Sequence, residues 1–308
     1  MCSALQDSVR GFGIPLTPAE LESFNAWRRN QDRELGRPER PPLLESPGLR
    51  FLVYGKEKTT DKAGKEKKTG KQGSWNGDKM CEQIEDVLDL FDFLPEYQGK
   101  QLILQIDWSS GHSKKQEGGL SVTALNWGWG GDQGPAMHDS KLTAEDIGTE
   151  PSLIKDGDGV RDYGLNEGDT QQFQFGTGVE GEVAPDPPLT WPSTGLPYLN
   201  PSLPPHDAVD ADGKVTKPGW MGKPKGVRQI LFEARMLKKK MMHKLHKVDK
   251  TTKKDPSGRT LDLCASTALR QRRDFRTEMS EMERLVAARG HILVMSPKCH
   301  PELGCDES

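Results

Sequence analysis

Residues 101–106 read Gln-Leu-Ile-Leu-Gln-Ile, and residues 107–113 continue as Asp-Trp-Ser-Ser-Gly-His-Ser. The first six residues are a nearly continuous apolar run, which is typical of a strand buried on both faces of a sheet. Ahead of this run, residues 78–94 carry apolar side chains at helical spacing, and Pro95 ends the pattern. A helix followed by a buried strand is half of an α/β layer unit. We therefore expect an α/β fold.

The same reasoning places further elements along the chain. Residues 50–54 form a short apolar run that predicts a strand, and residues 291–295 form another. Residues 227–248 and 266–289 carry apolar side chains along one face, which predicts two amphipathic helices. Together these elements predict a mixed sheet of three strands flanked by three helices.

The composition predicts a modest folded core and excludes several classes of protein. Only 33% of the 308 residues are apolar, whereas glycine and proline account for 33 and 22 residues. No apolar run approaches the ~18 residues that a membrane span needs. The five cysteines are odd in number and widely spaced, which argues against a secreted disulfide framework. Since the first residues also lack a signal-peptide pattern, we expect no membrane partner and an intracellular protein, for which the nucleus is a compatible compartment.

Charge and composition divide the chain into four segments. Residues 1–49 are expected to be irregular apart from one short helix, whereas residues 50–126 and 223–308 hold the two parts of the α/β domain. Residues 127–222 are a long insertion rich in Gly, Pro and Asp, which we expect to be irregular and disordered. Within this insertion, residues 139–169 contain nine acidic and three basic side chains.

The segment from Lys223 to Lys254 is strongly basic. It contains twelve Lys or Arg residues against two acidic ones, and we expect a basic helix across 223–254. Such a face can follow the phosphates of a nucleic acid, although a solvated helix face has the same pattern. The candidate phosphate-binding residues are Lys223, Lys225, Arg228, Lys238, Lys239 and Lys240.

Asp107 directly follows the strand predicted over 101–106. Ligands collect at the carboxyl ends of strands in α/β sheets, and a carboxylate there can bind a divalent cation. An Asp in such a connection also serves as a turn or helix-capping residue, and the spacing alone leaves both interpretations open. Two interpretations also stay open for three tryptophans, which either stack on bases or fill a core: Trp108, Trp127 and Trp129.

Several short motifs follow one another in a fixed order. They are Gly55-Lys56, Trp75-Asn76-Gly77-Asp78, the strand that leads to Asp107-x-Ser109-Ser110-x-His112, Asn126-x-Gly128 with Gly130-Gly131, residues 222–231 (Gly-Lys-Pro-Lys-Gly-Val-Arg-Gln-Ile-Leu), and Gly290-His291 through Pro301-Glu302-Leu303. This ordered set resembles the DDE-superfamily endonucleases, which are transposase-derived proteins of ribonuclease H-like fold related to mariner-type elements. The resemblance covers residues 50–135 and 218–307.

The resemblance implies a partial ribonuclease H-like sheet into which the long irregular segment is inserted. In this family three carboxylates hold two divalent metal ions, Mg²⁺ or Mn²⁺, and the enzyme uses this site to cleave and join DNA phosphodiesters. The resemblance makes Asp107 the second acid, Glu307 the third acid and His112 a supporting residue. The first acid has no match, because neither Asp7 nor Asp32 follows an apolar strand.

We therefore expect a transposon-derived, DDE endonuclease-like protein whose catalytic set is incomplete. Besides the missing first acid, Glu307 lies beside the last residue of the sequence, where nothing follows to hold its side chain. DNA is the expected partner, and self-association is a further expectation. Two alternatives stay open: a non-enzymatic nucleic-acid binder that uses the basic helix 223–254, and a decayed coding fragment without function.

Overall fold

The computed structural model describes residues 2–51, 58–60, 66–68, 77–106, 114–130, 136–179, 181–191, 195–244, 254, 256, 258 and 260–296. This part of the chain is mixed α/β, with six α-helices and several small sheets. It divides into two compact units, of which the first contains Met1–Lys114 and Met279–Ser308 and the second contains Lys115–Glu278. None of the helices in the described part combines the length and apolar character that crossing a membrane requires.

The elements are numbered in chain order. The helices are α1 (Pro18–Glu34), α2 (Gly77–Phe93), α3 (Val227–Glu233), α4 (Ala265–Gln271), α5 (Arg273–Thr277) and α6 (Glu281–Ala288). The strands are β1 (Cys2–Ala4), β2 (Gln6–Asp7), β3 (Gly11–Phe12), β4 (Leu49–Phe51), β5 (Lys58–Thr60), β6 (Glu66–Lys68), β7 (Ile103–Ile106), β8 (Ser140–Lys141), β9 (Leu153–Asp156), β10 (Gly159–Asp162), β11 (Thr170–Gln171), β12 (Leu189–Thr190), β13 (Tyr198–Leu199), β14 (Ala208–Val209), β15 (Val215–Lys217) and β16 (Ile292–Met295).

The first unit is built around one pair of parallel strands. β7 pairs with β16 over all four residues of each strand. Apolar side chains of α2 and α6 pack against this pair and form a core of Met80, Cys81, Ile84, Leu88, Leu104, Ile106, Met282 and Val286. The helix predicted over 78–94 and the strands predicted over 101–106 and 291–295 are confirmed.

The sheet differs from the prediction in two respects. β7 is buried on one face only, since Leu104 and Ile106 are buried while Ile103 is 64% exposed. The strand predicted over 50–54 overlaps β4, which pairs with β1 in a sheet that does not contain β7, and residues 52–54 lie outside the described residues. The prediction of one three-stranded sheet is therefore wrong for the described residues. The reason is that the N-terminal residues, predicted to be irregular, form a strand whose backbone groups pair with β4.

Arginine–aspartate pairs connect the helices of the first unit. Arg28 of α1 donates to Asp86 of α2 at 2.7 Å, and both side chains are buried. Arg40 donates to Asp89 of α2 at 2.8 Å, and Arg289 donates to the same carboxylate at 2.5 Å. Removing one partner would leave a buried charge alone, so these pairs hold α1 and α2 in one arrangement.

The second unit includes the segment 127–222, which the sequence predicts to be irregular. The described part of this segment forms β8 to β15 and contributes buried side chains to the unit. These side chains are Met137, Leu142, Ile154, Phe173, Phe175, Leu189, Trp220 and Met221. Phe173 packs with Val227, Ile230 and Leu231 of α3. The unit therefore extends beyond the predicted boundaries, because the scattered apolar residues of the insertion need those of α3 and α4 to complete a core.

The prediction of a continuous basic helix across 223–254 is wrong in the described part of that segment. α3 ends at Glu233, and Arg235 has a left-handed φ of 58°. Lys240 also has a left-handed φ, of 66°. Such values occur in turns and not inside helices, so the chain after α3 runs as turns and loop. Residues 245–253 lie outside the described residues.

The helix predicted over 266–289 is divided into α4, α5 and α6. The backbone is extended at Arg272, with ψ 140°, and again at Glu278, with ψ 122°. At the first break, the Arg272 side chain is fully buried and binds Asp274 at 2.5 Å. At the second break, Ser280 begins α6 with a capping box. Apolar side chains keep their helical spacing across both breaks, so the sequence pattern did not predict where the helix is interrupted.

Replacing Leu88 tests the packing of the parallel pair. Leu88 is 1% exposed, whereas Leu44 of the same unit is 92% exposed. We expect Leu88→Ala to lower the free energy of unfolding by about 2–5 kcal/mol, because it leaves a cavity between α2 and the strands. Leu44→Ala should change it by less than about 0.5 kcal/mol. Urea unfolding followed by circular dichroism measures both, and equal losses would contradict this packing.

Candidate nucleic-acid interface

The acids that the family resemblance assigns to metal binding are not in the described part of the chain. Asp107, Glu307 and the supporting His112 all lie outside the described residues. Among the residues that are described, no group of three or more His, Cys, Asp or Glu could hold a metal ion. The described carboxylates thus do not fit a two-metal site, and binding of Mg²⁺ or Mn²⁺ stays a prediction.

The two carboxylates considered for the first acid have structural partners. Asp7 accepts a hydrogen bond from the Tyr97 hydroxyl at 2.7 Å. Asp32 is 1% exposed and is bound by Arg40 at 2.9 Å. Burial alone would raise the pKa of Asp32, but the hydrogen bonds from Arg40 hold it below its usual value. Both carboxylates are therefore engaged by side chains of the first unit.

The candidate phosphate-binding residues lie before, within and after α3, and at the start of this helix two segments meet through their backbones. The Val227 amide donates to the Asn126 carbonyl at 2.9 Å, and the Arg228 amide donates to the Trp127 carbonyl at 3.2 Å. Gly226 makes this approach possible, because a Cβ at that position would lie 2.3 Å from the Gly128 carbonyl oxygen. The contact fixes Trp127 beside Arg228.

Arg228 is the central cation of this region. Its guanidinium carbon lies 3.6 Å from the centre of the Trp191 ring and 5.8 Å from that of Trp127. Phe232, one helical turn along α3, packs edge-to-face with Trp191 at 5.6 Å between ring centres. Stacking of a guanidinium on indole is favourable and holds the cation in place.

Arg228 has no anionic partner in the described part of the chain. None of the described carboxylates forms an ion pair or a charge interaction with its guanidinium. Burial lowers the pKa of Arg228 to about 10, so the side chain remains cationic at neutral pH. A partly buried cation with unused donors can bind an anion that enters from outside, and its planar shape suits phosphate or carboxylate.

A groove of about 600 Å³ opens beside Arg228. Its walls come from α3, from the sheet that contains β9, β12 and β13, and from the turn after α3. The apolar and aromatic lining includes Trp127, Trp191, Leu153, Leu196, Pro197, Phe232 and Leu237, and the cations are Arg228, Lys238, Lys239 and Lys240. We call this feature the Trp/Lys groove. Glu150 is the one carboxylate among its lining residues, all of which are described.

Four of the six candidate phosphate-binding residues line the Trp/Lys groove, and the other two do not. Lys223 is exposed elsewhere on the unit. Lys225 is 8% exposed, and its ammonium donates to Glu233 at 3.0 Å and lies 5.3 Å from the centre of the Phe175 ring. Lys225 therefore stabilises the core of the unit and is not placed to meet a ligand in the groove.

Trp191 is the groove residue that the sequence did not single out. It directly follows β12, within a segment whose prolines predict irregular structure. Trp127, one of the three candidate stacking residues, lines the groove, whereas Trp129 packs against Phe175 and Trp220. Trp108 lies outside the described residues.

No protein-family model matches the chain, and no curated protein or solved structure does either.

A pair of glycine substitutions tests how the groove is assembled. Gly226→Ala should lower the free energy of unfolding by about 1–3 kcal/mol, because its methyl group meets the Gly128 carbonyl and the backbone must shift. Gly128→Ala is the matched control, since a Cβ at that position meets nothing within 4 Å. Thermal unfolding gives the stability, and near-ultraviolet circular dichroism reports the packing of the tryptophans. Equal effects of the two substitutions would contradict the close approach.

Proposed function

We propose that the protein binds nucleic acid through the Trp/Lys groove of the second unit. The observation that carries the proposal is Arg228, a partly buried cation stacked on Trp191 without a carboxylate partner among the described residues. Cations that serve packing alone have such partners elsewhere in the chain, as Arg28 has in Asp86. A cation left without one in an open groove is suited to an external anion.

The charges around Arg228 favour a polymeric anion. Lys238, Lys239 and Lys240 are exposed in one turn at the edge of the groove, and only Lys238 lies near a described acid, 3.7 Å from Asp262. The sequence from Lys223 to Lys254 adds further positive charge, with twelve basic and two acidic side chains. Successive phosphates of a nucleic acid are complementary to such a set of cations.

We also propose that the chain descends from a DDE-superfamily endonuclease with a partial ribonuclease H-like layer. One support is the parallel pair β7 and β16 covered by α2 and α6, since the family resemblance implies a mixed sheet flanked by helices. In the sequence, Asp107 directly follows β7. A second support is that two motifs of the resemblance, Asn126-x-Gly128 and residues 222–231, contact each other through their backbones. On this proposal DNA is the partner and the nucleus is a compatible location.

Removing the three lysines tests nucleic-acid binding. We expect Lys238→Gln, Lys239→Gln and Lys240→Gln together to weaken DNA binding about tenfold at moderate salt, and to reduce the slope of log affinity against log salt by about 2. The matched control changes three other exposed lysines of the same unit, Lys141, Lys214 and Lys217, to Gln. Fluorescence anisotropy with labelled DNA measures both. The same loss in both variants would mean that the groove is not the binding site.

A nicking assay tests the ancestral activity. With Mg²⁺ or Mn²⁺ and supercoiled plasmid, we expect the wild-type protein to nick no faster than Asp107→Ala, because the first acid of the family pattern has no match in this sequence. Asp158→Ala, which removes an exposed carboxylate of the second unit, serves as a control. Metal-dependent nicking that Asp107→Ala abolishes and Asp158→Ala retains would show that the catalytic set is complete.

A further inference from the structure

We propose that the Trp/Lys groove takes an unpaired strand, with bases against its aromatic wall and phosphates on its lysine edge. This inference rests on the proposed nucleic-acid binding and adds the class of nucleic acid and the way it is held. It starts from the residue types of the lining, which differ from those of a surface that binds by charge alone. A surface that follows only phosphates needs cations, whereas this groove is lined largely by aromatic and aliphatic side chains.

The shape and lining of the groove suit bases. At about 600 Å³ its volume lies within the range of ~300–1,000 Å³ that is usual for pockets that enclose small organic molecules. Unpaired bases stack on indole rings and also on guanidinium planes. Both kinds of surface lie close to Arg228, whose guanidinium carbon is 3.6 Å from the centre of the Trp191 ring and 5.8 Å from that of Trp127.

The charges give the bound strand an orientation. Lys238, Lys239 and Lys240 lie together in the turn after α3, so the sugar–phosphate backbone lies along that edge. Glu150 contributes a negative charge to the lining and disfavours phosphate beside it. Arg228 has donors for a phosphate oxygen and lies on the Trp191 ring, so it joins the charged edge to the apolar wall.

Duplex DNA cannot use the aromatic wall in the same way. In a duplex the faces of the bases are stacked on each other, and only their edges are exposed in the grooves. A duplex can therefore meet the lysines but not the indole rings. The arrangement predicts tighter binding of a single strand than of a duplex with the same sequence and length.

The test uses the full-length wild-type protein and three labelled twelve-nucleotide probes in fluorescence anisotropy. The probes are a mixed-sequence single strand, its blunt duplex and an abasic single strand with the same number of phosphates. We expect the single strand to bind about tenfold more tightly than either of the others, which corresponds to the stacking of about one base. An unlabelled twelve-residue polyglutamate serves as competitor and should displace the strand poorly.

Each outcome separates the inference from the proposed function. Equal, salt-dependent binding of all three probes would overturn base insertion while leaving nucleic-acid binding intact. Binding of none of them would overturn both. Displacement by polyglutamate as efficient as by unlabelled strand would overturn the inference in favour of an acidic peptide ligand.

A variant pair locates the effect. Trp191→Leu should remove most of the preference for the single strand over the abasic strand, because the indole ring on which a base stacks is lost. Trp129→Leu is the control, since Trp129 belongs to the same unit but does not line the groove. If Trp191→Leu does not fold, as judged by circular dichroism, the three-probe comparison with the wild-type protein still decides the matter. A preference that survives Trp191→Leu in a folded variant would contradict the assigned wall.

Discussion

The backbone contact between Gly226 and Gly128 is the constraint on which the Trp/Lys groove depends. A Cβ at Gly226 would lie 2.3 Å from the Gly128 carbonyl oxygen, so the two segments can meet only with glycine at that position. Amides at the start of α3 donate to the Asn126 and Trp127 carbonyls across this contact. As a result, one indole ring is fixed beside the helix that carries Arg228.

The electrostatic character of the groove becomes clear when its cation is compared with others in the same protein. Arg272 is fully buried and is held by both carboxylate oxygens of Asp274 and by Gln171. Such a cation is neutralised within the protein, and its removal would leave a buried charge alone. Arg228 instead has aromatic neighbours and, among the described residues, no carboxylate. The difference separates a cation that stabilises the fold from one that is available to a ligand.

The two units have different relations to the proposed ancestry. The first unit contains the helix-covered parallel pair, and one strand of that pair, β7, directly precedes Asp107 in the sequence. The second unit contains the long Gly/Pro/Asp-rich segment and the groove. Under the proposed ancestry, the groove that we propose for nucleic-acid binding and the acid Asp107 therefore belong to different units.

The sequence by itself determined the elements whose signals are local. Helical spacing over 78–94 and the apolar runs at 101–106 and 291–295 depend on neighbouring residues, and these elements are present as α2, β7 and β16. The positive charge around Arg228 and Lys238–Lys240 could also be predicted, because charge follows directly from the residue types.

Only the tertiary structure decided where several other predicted elements end and which segments they contact. The end of α3 at Glu233 and the breaks at Arg272 and Glu278 interrupt segments whose amphipathic spacing continues. β4 pairs with the N-terminal strand, because pairing depends on which backbone groups come close in space. Trp191 contacts Arg228, which lies 37 residues further along the sequence. Lys225 forms an ion pair with Glu233. Spacing along the sequence does not predict the contact between Trp191 and Arg228, since the two residues belong to segments that are distant along the chain.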